Sequence, residues 1–139
     1  MAAAAEPFVT RLRIQAPPEV VFDCFCDERA MLAWMGERAE LNAQPGGKLD
    51  MDIGPVKVRG RYEVVNRPGR LVFSWGFADS DDFPPGASTV ELTLRRDGDA
   101  TELTLVHRDL PEAEAPRHAL GWAKYLPRLA EAAPRTTSV

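Results

Sequence analysis

The stretch Pro116-Arg117-His118-Ala119-Leu120-Gly121-Trp122-Ala123-Lys124-Tyr125-Leu126 decides the fold. His118, Trp122, Tyr125, Leu126 and Leu129 recur at i, i+4, i+7, i+8 and i+11, the core-facing spacing of an amphipathic helix. A long run of strand-like segments precedes it. One helix laid on one curved sheet is the simplest way to bury both apolar faces. The stripe carries a His, a Trp and a Tyr, whose polar tips need partners or water. A helix that lines a cavity has this composition, and so does an ordinary core helix with its polar tips satisfied.

Upstream, Phe8–Ile14 alternates apolar and polar residues, as a half-buried strand does. Pro17 and Pro18 stop it and open a short apolar helix holding Val20, Val21, Phe22, Cys24, Phe25 and Cys26. Asp27 is placed to cap a second helix with Met31, Leu32, Trp34 and Met35, ended by Gly36. Then come a weak strand at 39–43 and alternating segments at 48–53, 56–65, 71–77, 89–95 and 101–107. Their inward sets are Leu49, Met51, Ile53; Val56, Val58, Tyr62, Val64; Leu71, Phe73, Trp75, Phe77; Val90, Leu92, Leu94; and Leu103, Leu105, His107. The turns between them are short, so the strands are antiparallel neighbours. Pro127 falls inside the last helix. Lacking an N–H and clashing with the carbonyl of Ala123, it predicts a kink or break near Tyr125-Leu126, which confines the gripping part to 112–126.

The 139 residues suit one domain, with residues 1–7 as a disordered start, 8–132 as the domain and 133–139 as a frayed tail. At this length about two-thirds of the unfolded surface can be buried, so neither metal nor disulfide is required. The net charge of −4 argues against nucleic-acid binding, which wants a basic patch. The start lacks the basic and apolar regions of a secretory signal, and no apolar run is long enough to span a bilayer. The expectation is a cytoplasmic protein. Cys24 and Cys26 point to different sides of a helix and read as small apolar residues, not as a disulfide or a zinc site.

No P-loop, dinucleotide-binding glycine pattern, zinc-protease or serine-hydrolase motif is present. The acidic loop at 79–86 carries Asp79, Asp81 and Asp82 without the glycine and terminal glutamate of a calcium loop, and reads as solvated. His107 ends a strand on the inward face and His118 opens the helix stripe. Each suits acid–base chemistry or ligand hydrogen bonding; each equally suits a donor to a backbone carbonyl. Trp34, Trp75 and Trp122 fall on inward faces, where aromatics fill cores and also line small-molecule pockets.

The order of these elements, together with Ala16-Pro17-Pro18-Glu19-Val20-Val21-Phe22, Leu32-Ala33-Trp34-Met35, Pro45-Gly46-Gly47-Lys48-Leu49, Gly60-Arg61-Tyr62-Glu63-Val64-Val65, Pro68-Gly69-Arg70-Leu71-Val72-Phe73-Ser74-Trp75 and Gly121-Trp122, resembles the START-like SRPBCC superfamily. Within it the chain looks like the group named after the activator of the 90-kDa heat-shock-protein ATPase. The resemblance covers about residues 8 to 132 and rests on order and spacing, not on any single motif. It implies an α+β helix-grip fold: a curved antiparallel sheet of six to seven strands wrapped on a long C-terminal helix, with a cavity between. It implies no cofactor and no shared catalytic residue.

The leading expectation is a binding module for a small hydrophobic or amphipathic molecule, held by Trp34, Met51, Tyr62, Phe73, Trp75, Leu92, Leu105, His107, His118, Trp122 and Tyr125. One alternative is an enzyme of the cyclase or hydratase sort with His107 as acid or base. Another is a chaperone-regulating or other protein-interaction module. A homodimer is compatible with a domain of this size.

Overall fold

A computed structural model describes residues 6–136. The expected start at 1–7 and the last residues of the expected tail lie mostly outside them. The elements are β1 (Phe8–Ile14), α1 (Pro18–Asp23), α2 (Glu28–Leu32), β2 (Arg38–Leu41), β3 (Lys48–Ile53), β4 (Val56–Asn66), β5 (Arg70–Phe77), β6 (Ser88–Asp97), β7 (Ala100–Arg108) and α3 (Ala115–Thr136). The strands form one antiparallel sheet in the order β1-β7-β6-β5-β4-β3-β2. Sequence neighbours pair along β2 to β7, and β1 closes against β7. The long C-terminal helix and this sheet make the helix-grip fold.

Local chemistry explains the joints. Pro18 opens α1 at a position where its missing N–H costs nothing. The Asp27 carboxylate accepts from the Ala30 N–H at 2.9 Å and caps α2. The β6–β7 hairpin pairs Asp97 with Ala100 across Gly98-Asp99, and Gly98 takes the positive φ of +62° that this turn needs.

Strand alternation sets the core. Leu49 and Met51 on β3, Val58 and Tyr62 on β4, Leu71, Phe73 and Trp75 on β5, Val90 and Leu92 on β6, and Leu103, Leu105 and His107 on β7 are all buried toward the helices. One register departs from the expected parity. A bulge between Tyr62 and Val64 adds a residue to β4, so Val65, not Val64, packs against the core.

The last helix also departs from expectation. It runs unbroken from Ala115 to Thr136 through Pro127 and Pro134, and Ala133 is fully buried. No break falls near Tyr125-Leu126, and residues 133–136 are helix, not a frayed end. Pro127 and Ala123 both lie on the exposed face, where water can hydrate the orphaned carbonyl of Ala123. Leu126, Leu129 and Ala133 meanwhile hold the opposite face in the core. Burying each of the two leucines contributes about 1.5–3 kcal/mol, enough to carry the helix past one missing hydrogen bond.

Candidate functional site

The middle of α3 faces β5 and β7 through two reciprocal pairs of rings. The Trp122 indole N–H on α3 donates to Nδ1 of His107 on β7 at 3.0 Å. The Trp75 indole N–H on β5 donates to Nε2 of His118 on α3 at 3.1 Å. The two imidazoles meet edge to face at 5.0 Å, and the two indoles lie 5.6 Å apart. α3 thus supplies the donor Trp of one pair and the acceptor His of the other, with β7 and β5 supplying their partners.

An indole can only donate, so these contacts fix both tautomers. Nδ1 of His107 is an acceptor. Ser88 Oγ lies 2.8 Å from the other nitrogen of that ring and gives its single proton to the Trp75 carbonyl at 2.7 Å. Nε2 of His107 must therefore carry the hydrogen and donate to Ser88. In His118, Nε2 accepts from Trp75 and Nδ1 donates to the Glu114 carbonyl at 3.0 Å. Both rings are neutral. Burial, followed by the neighbouring His118, pushes the His107 imidazole down to about 3. Burial pushes His118 down as well, against the pull of the Glu114 carbonyl and carboxylate.

Beside these rings lies a cavity of about 240 Å³, lined by Met35, Ile53, Val56, Val58, Trp75, Phe77, Arg117, His118, Gly121, Trp122 and Tyr125. Its walls are the β3–β4 hairpin, β5, the end of the α2 turn and α3. Gly121 makes room for it: no heavy atom lies within 4 Å of where a Cβ would stand. At one end the acidic loop folds Phe83 inward. Phe83 is fully buried, with ring centroids 4.9 Å from Phe77 and 5.1 Å from His118. Ser80 Oγ accepts the Phe83 N–H, and the Phe83 carbonyl accepts the Phe77 N–H, so the loop is latched to β5. Gly76 permits the crossing, because a Cβ there would stand 1.9 Å from the Pro84 carbonyl oxygen. Asp79, Asp81 and Asp82 point to solvent as expected.

Of the eleven residues expected at a site, the structure brings Trp75, His118, Trp122 and Tyr125 to the cavity wall. Met51, Phe73, Leu92 and Leu105 are sealed in the core. Tyr62 is fully buried with its hydroxyl donating to the Phe25 carbonyl at 2.8 Å. Trp34 donates to the Cys24 carbonyl at 2.9 Å and packs on Phe25. His107 sits behind Trp122, fully buried and off the wall. A general base needs a lone pair aimed at substrate. The lone pair of His107 is held by Trp122, which does not support the acid–base reading. Met35, Ile53, Val56, Val58, Phe77 and Arg117 line the cavity without having been singled out. Ile53, Val56, Val58 and Phe77 were on the inward parity, but nothing in their side chains distinguishes a wall from a core.

Among the described residues no cluster of His, Cys, Asp and Glu suits a metal ion. Burial pushes the Cys26 thiol up to about 12, away from nucleophilic use. No helix among the described residues is long and apolar enough to cross a membrane.

A family profile described as "Activator of Hsp90 ATPase homolog 1-like protein" matches residues 15–133. The chain belongs to this family. Human "Activator of 90 kDa heat shock protein ATPase homolog 1" is 29% identical over 109 residues, 78% of this chain and 31% of that protein. The chain therefore spans about a third of the curated relatives it matches. Among solved structures, an AHSA1-like protein from Rhizobium etli is 40% identical, with a TM-score of 0.68 over 96% of this chain and 86% of that one. An HSP90 activator from Plasmodium falciparum is 25% identical, with a TM-score of 0.73 over 88% and 91%.

Proposed function

We propose that this family member binds a small apolar or amphipathic molecule in the cavity between the β3–β5 face and α3. The observation that carries the reading is the space left by Gly121, on a wall otherwise made of Met35, Ile53, Val56, Val58, Trp75, Trp122 and Tyr125. A well-packed interior leaves few voids larger than a water. A gap of this size, apolar and beside two tryptophans, gains about 25 cal/mol for each Å² of ligand carbon removed from water. Tyr125 supplies a polar edge that orients the guest, since both nitrogens of His118 are already bonded within the protein. Native mass spectrometry of the freshly purified protein should reveal a co-purified small molecule. Gly121→Leu, which fills the space, should abolish that adduct and leave the fold intact; an adduct unchanged in the variant rules the cavity out as its seat.

A second reading is supported by the relatives' names: regulation of a 90-kDa heat-shock-protein ATPase through a protein surface. A pull-down with that chaperone, followed by its ATPase rate with and without this chain, tests it. Finding neither association nor a change in rate would dismiss it.

A further inference from the structure

A second opening adjoins the cavity across Tyr125. Met35, Ile53 and Tyr125 also line this opening of about 210 Å³, which continues along the α2 turn to Gly54 and Arg128. Half-buried Tyr125 is the partition between the two. The first volume falls short of the roughly 300–1,000 Å³ usual for ligand sites; the second brings the passage into that range. His118 and Arg128 are ten residues apart on α3, about 15 Å along its axis, so the passage is long, not round.

Its two ends differ in charge. At the inner end the His118 imidazole is held neutral by the Trp75 donor, and Arg117 on the same wall pairs with Glu114. At the outer end, Lys124 Nζ and the Arg128 guanidinium sit over the Tyr125 ring, 5.3 and 5.2 Å from its centroid. These two cations stand four residues apart on one helix, a mildly unfavourable spacing for like charges. Arg117 and Arg135 of the same helix pair with Glu114 and Glu131. Among the described residues, no carboxylate forms an ion pair with Lys124 or Arg128. Glu37, the acidic residue on this wall, is exposed and pairs with neither.

We propose that the molecule held here is an anionic amphiphile, a carboxylate on an aliphatic or aromatic body. Its body lies along Val58, Trp75 and Trp122, and its carboxylate rests beside Arg128 and Lys124. This rests on the binding reading above and names the ligand class for the same site. Arg128 offers paired N–H donors that match a carboxylate, and the exposed setting makes the contact a matter of selectivity more than of total affinity.

The test uses two probes of equal chain length, decanoate and decan-1-ol, titrated into the full chain by calorimetry and followed by tryptophan fluorescence. Wild type should bind decanoate about three- to tenfold more tightly than the alcohol, an advantage that shrinks in high salt. The double variant Lys124→Gln, Arg128→Gln should lose that advantage with alcohol binding unchanged, and Arg128→Lys alone should keep part of it. Both substitutions are at exposed positions, so folding is not at stake. Equal binding of the two probes by wild type, or an advantage that survives the double variant, overturns the anionic assignment alone. Binding of neither probe overturns the cavity reading and this one together.

Discussion

Trp122 of α3 donates its indole N–H to Nδ1 of His107 on β7 at 3.0 Å, and this bond pins the gripping helix to the far half of the sheet. His107 passes the polarity on, through Nε2–H to Ser88 and from Ser88 to the Trp75 carbonyl. The whole chain is buried and satisfied. Removing its middle member leaves the Trp122 N–H without an acceptor, takes away the donor to the Ser88 oxygen, and opens a void. His107→Ala should therefore cost about 2–4 kcal/mol in urea unfolding. A loss below about 0.5 kcal/mol would mean that the helix is held by apolar packing alone.

The same ring makes stability depend on pH. His107 has its imidazole pushed down from an ordinary value near 6.5 to about 3, by burial first and by His118 second. Between those values the unfolded chain takes up a proton that the folded chain refuses. The stabilisation is complete above about pH 6.5, falls as pH drops, and is fully lost only near pH 3, at about 1.4 kcal/mol per pH unit. His107→Gln gives a control, since its amide can accept from Trp122 and donate to Ser88 without titrating. The stability of wild type relative to this variant should shrink by about 2 kcal/mol from pH 6.5 to pH 5. Parallel curves for the two proteins would show that His107 does not stay neutral in this way.

Much of this architecture is legible in the residues. The strands follow from alternation, and the inward parity of Leu49, Met51, Phe73, Trp75, Leu92, Leu105 and His107 matches their burial. The stripe of His118, Trp122, Leu126 and Leu129 matches the buried face of α3. Three features were hidden for definite reasons. The bulge after Tyr62 inserts one residue that no local pattern announces, and it shifts Val64 off the core side. Phe83 is a lone apolar residue among aspartates, and its burial depends on Phe77 and His118, which are distant in sequence or on another element. Parity also tells which side chains face inward but not whether opposite ones meet. Tyr62, Phe73 and Leu105 close on their neighbours, whereas Gly121 and the β3–β4 hairpin stay apart and leave the cavity.

Phe83 should behave as the pin of the acidic loop. Its ring fills the space between Phe77 and His118, and the hydrogen bonds to Ser80 and Phe77 are short-range consequences of that seating. Phe83→Ala should lower stability by about 3 kcal/mol, somewhat less where the loop relaxes into the void. More telling is the local effect. Amide hydrogens of residues 77–87 should exchange much faster in the variant, with the β6–β7 hairpin unchanged. Unchanged protection of the loop would show that its hydrogen bonds, not the ring, hold it.

Pro127 offers the cleanest measurement of what the buried stripe contributes. The helix continues through it to Thr136 because Leu126, Leu129 and Ala133 are buried on the far face. A proline within a helix costs about 3 kcal/mol relative to alanine, partly offset by its restriction of the unfolded chain, worth about 0.4–1 kcal/mol. Its exposed position means that alanine would meet no clash and would restore the hydrogen bond to the Ala123 carbonyl. Pro127→Ala should therefore raise unfolding stability by about 2–2.6 kcal/mol, with no change in the tryptophan environment of the cavity. A destabilised variant would show that the helix has adapted its packing to the proline, so that the backbone at Pro127 is part of how Leu126 and Leu129 reach the sheet.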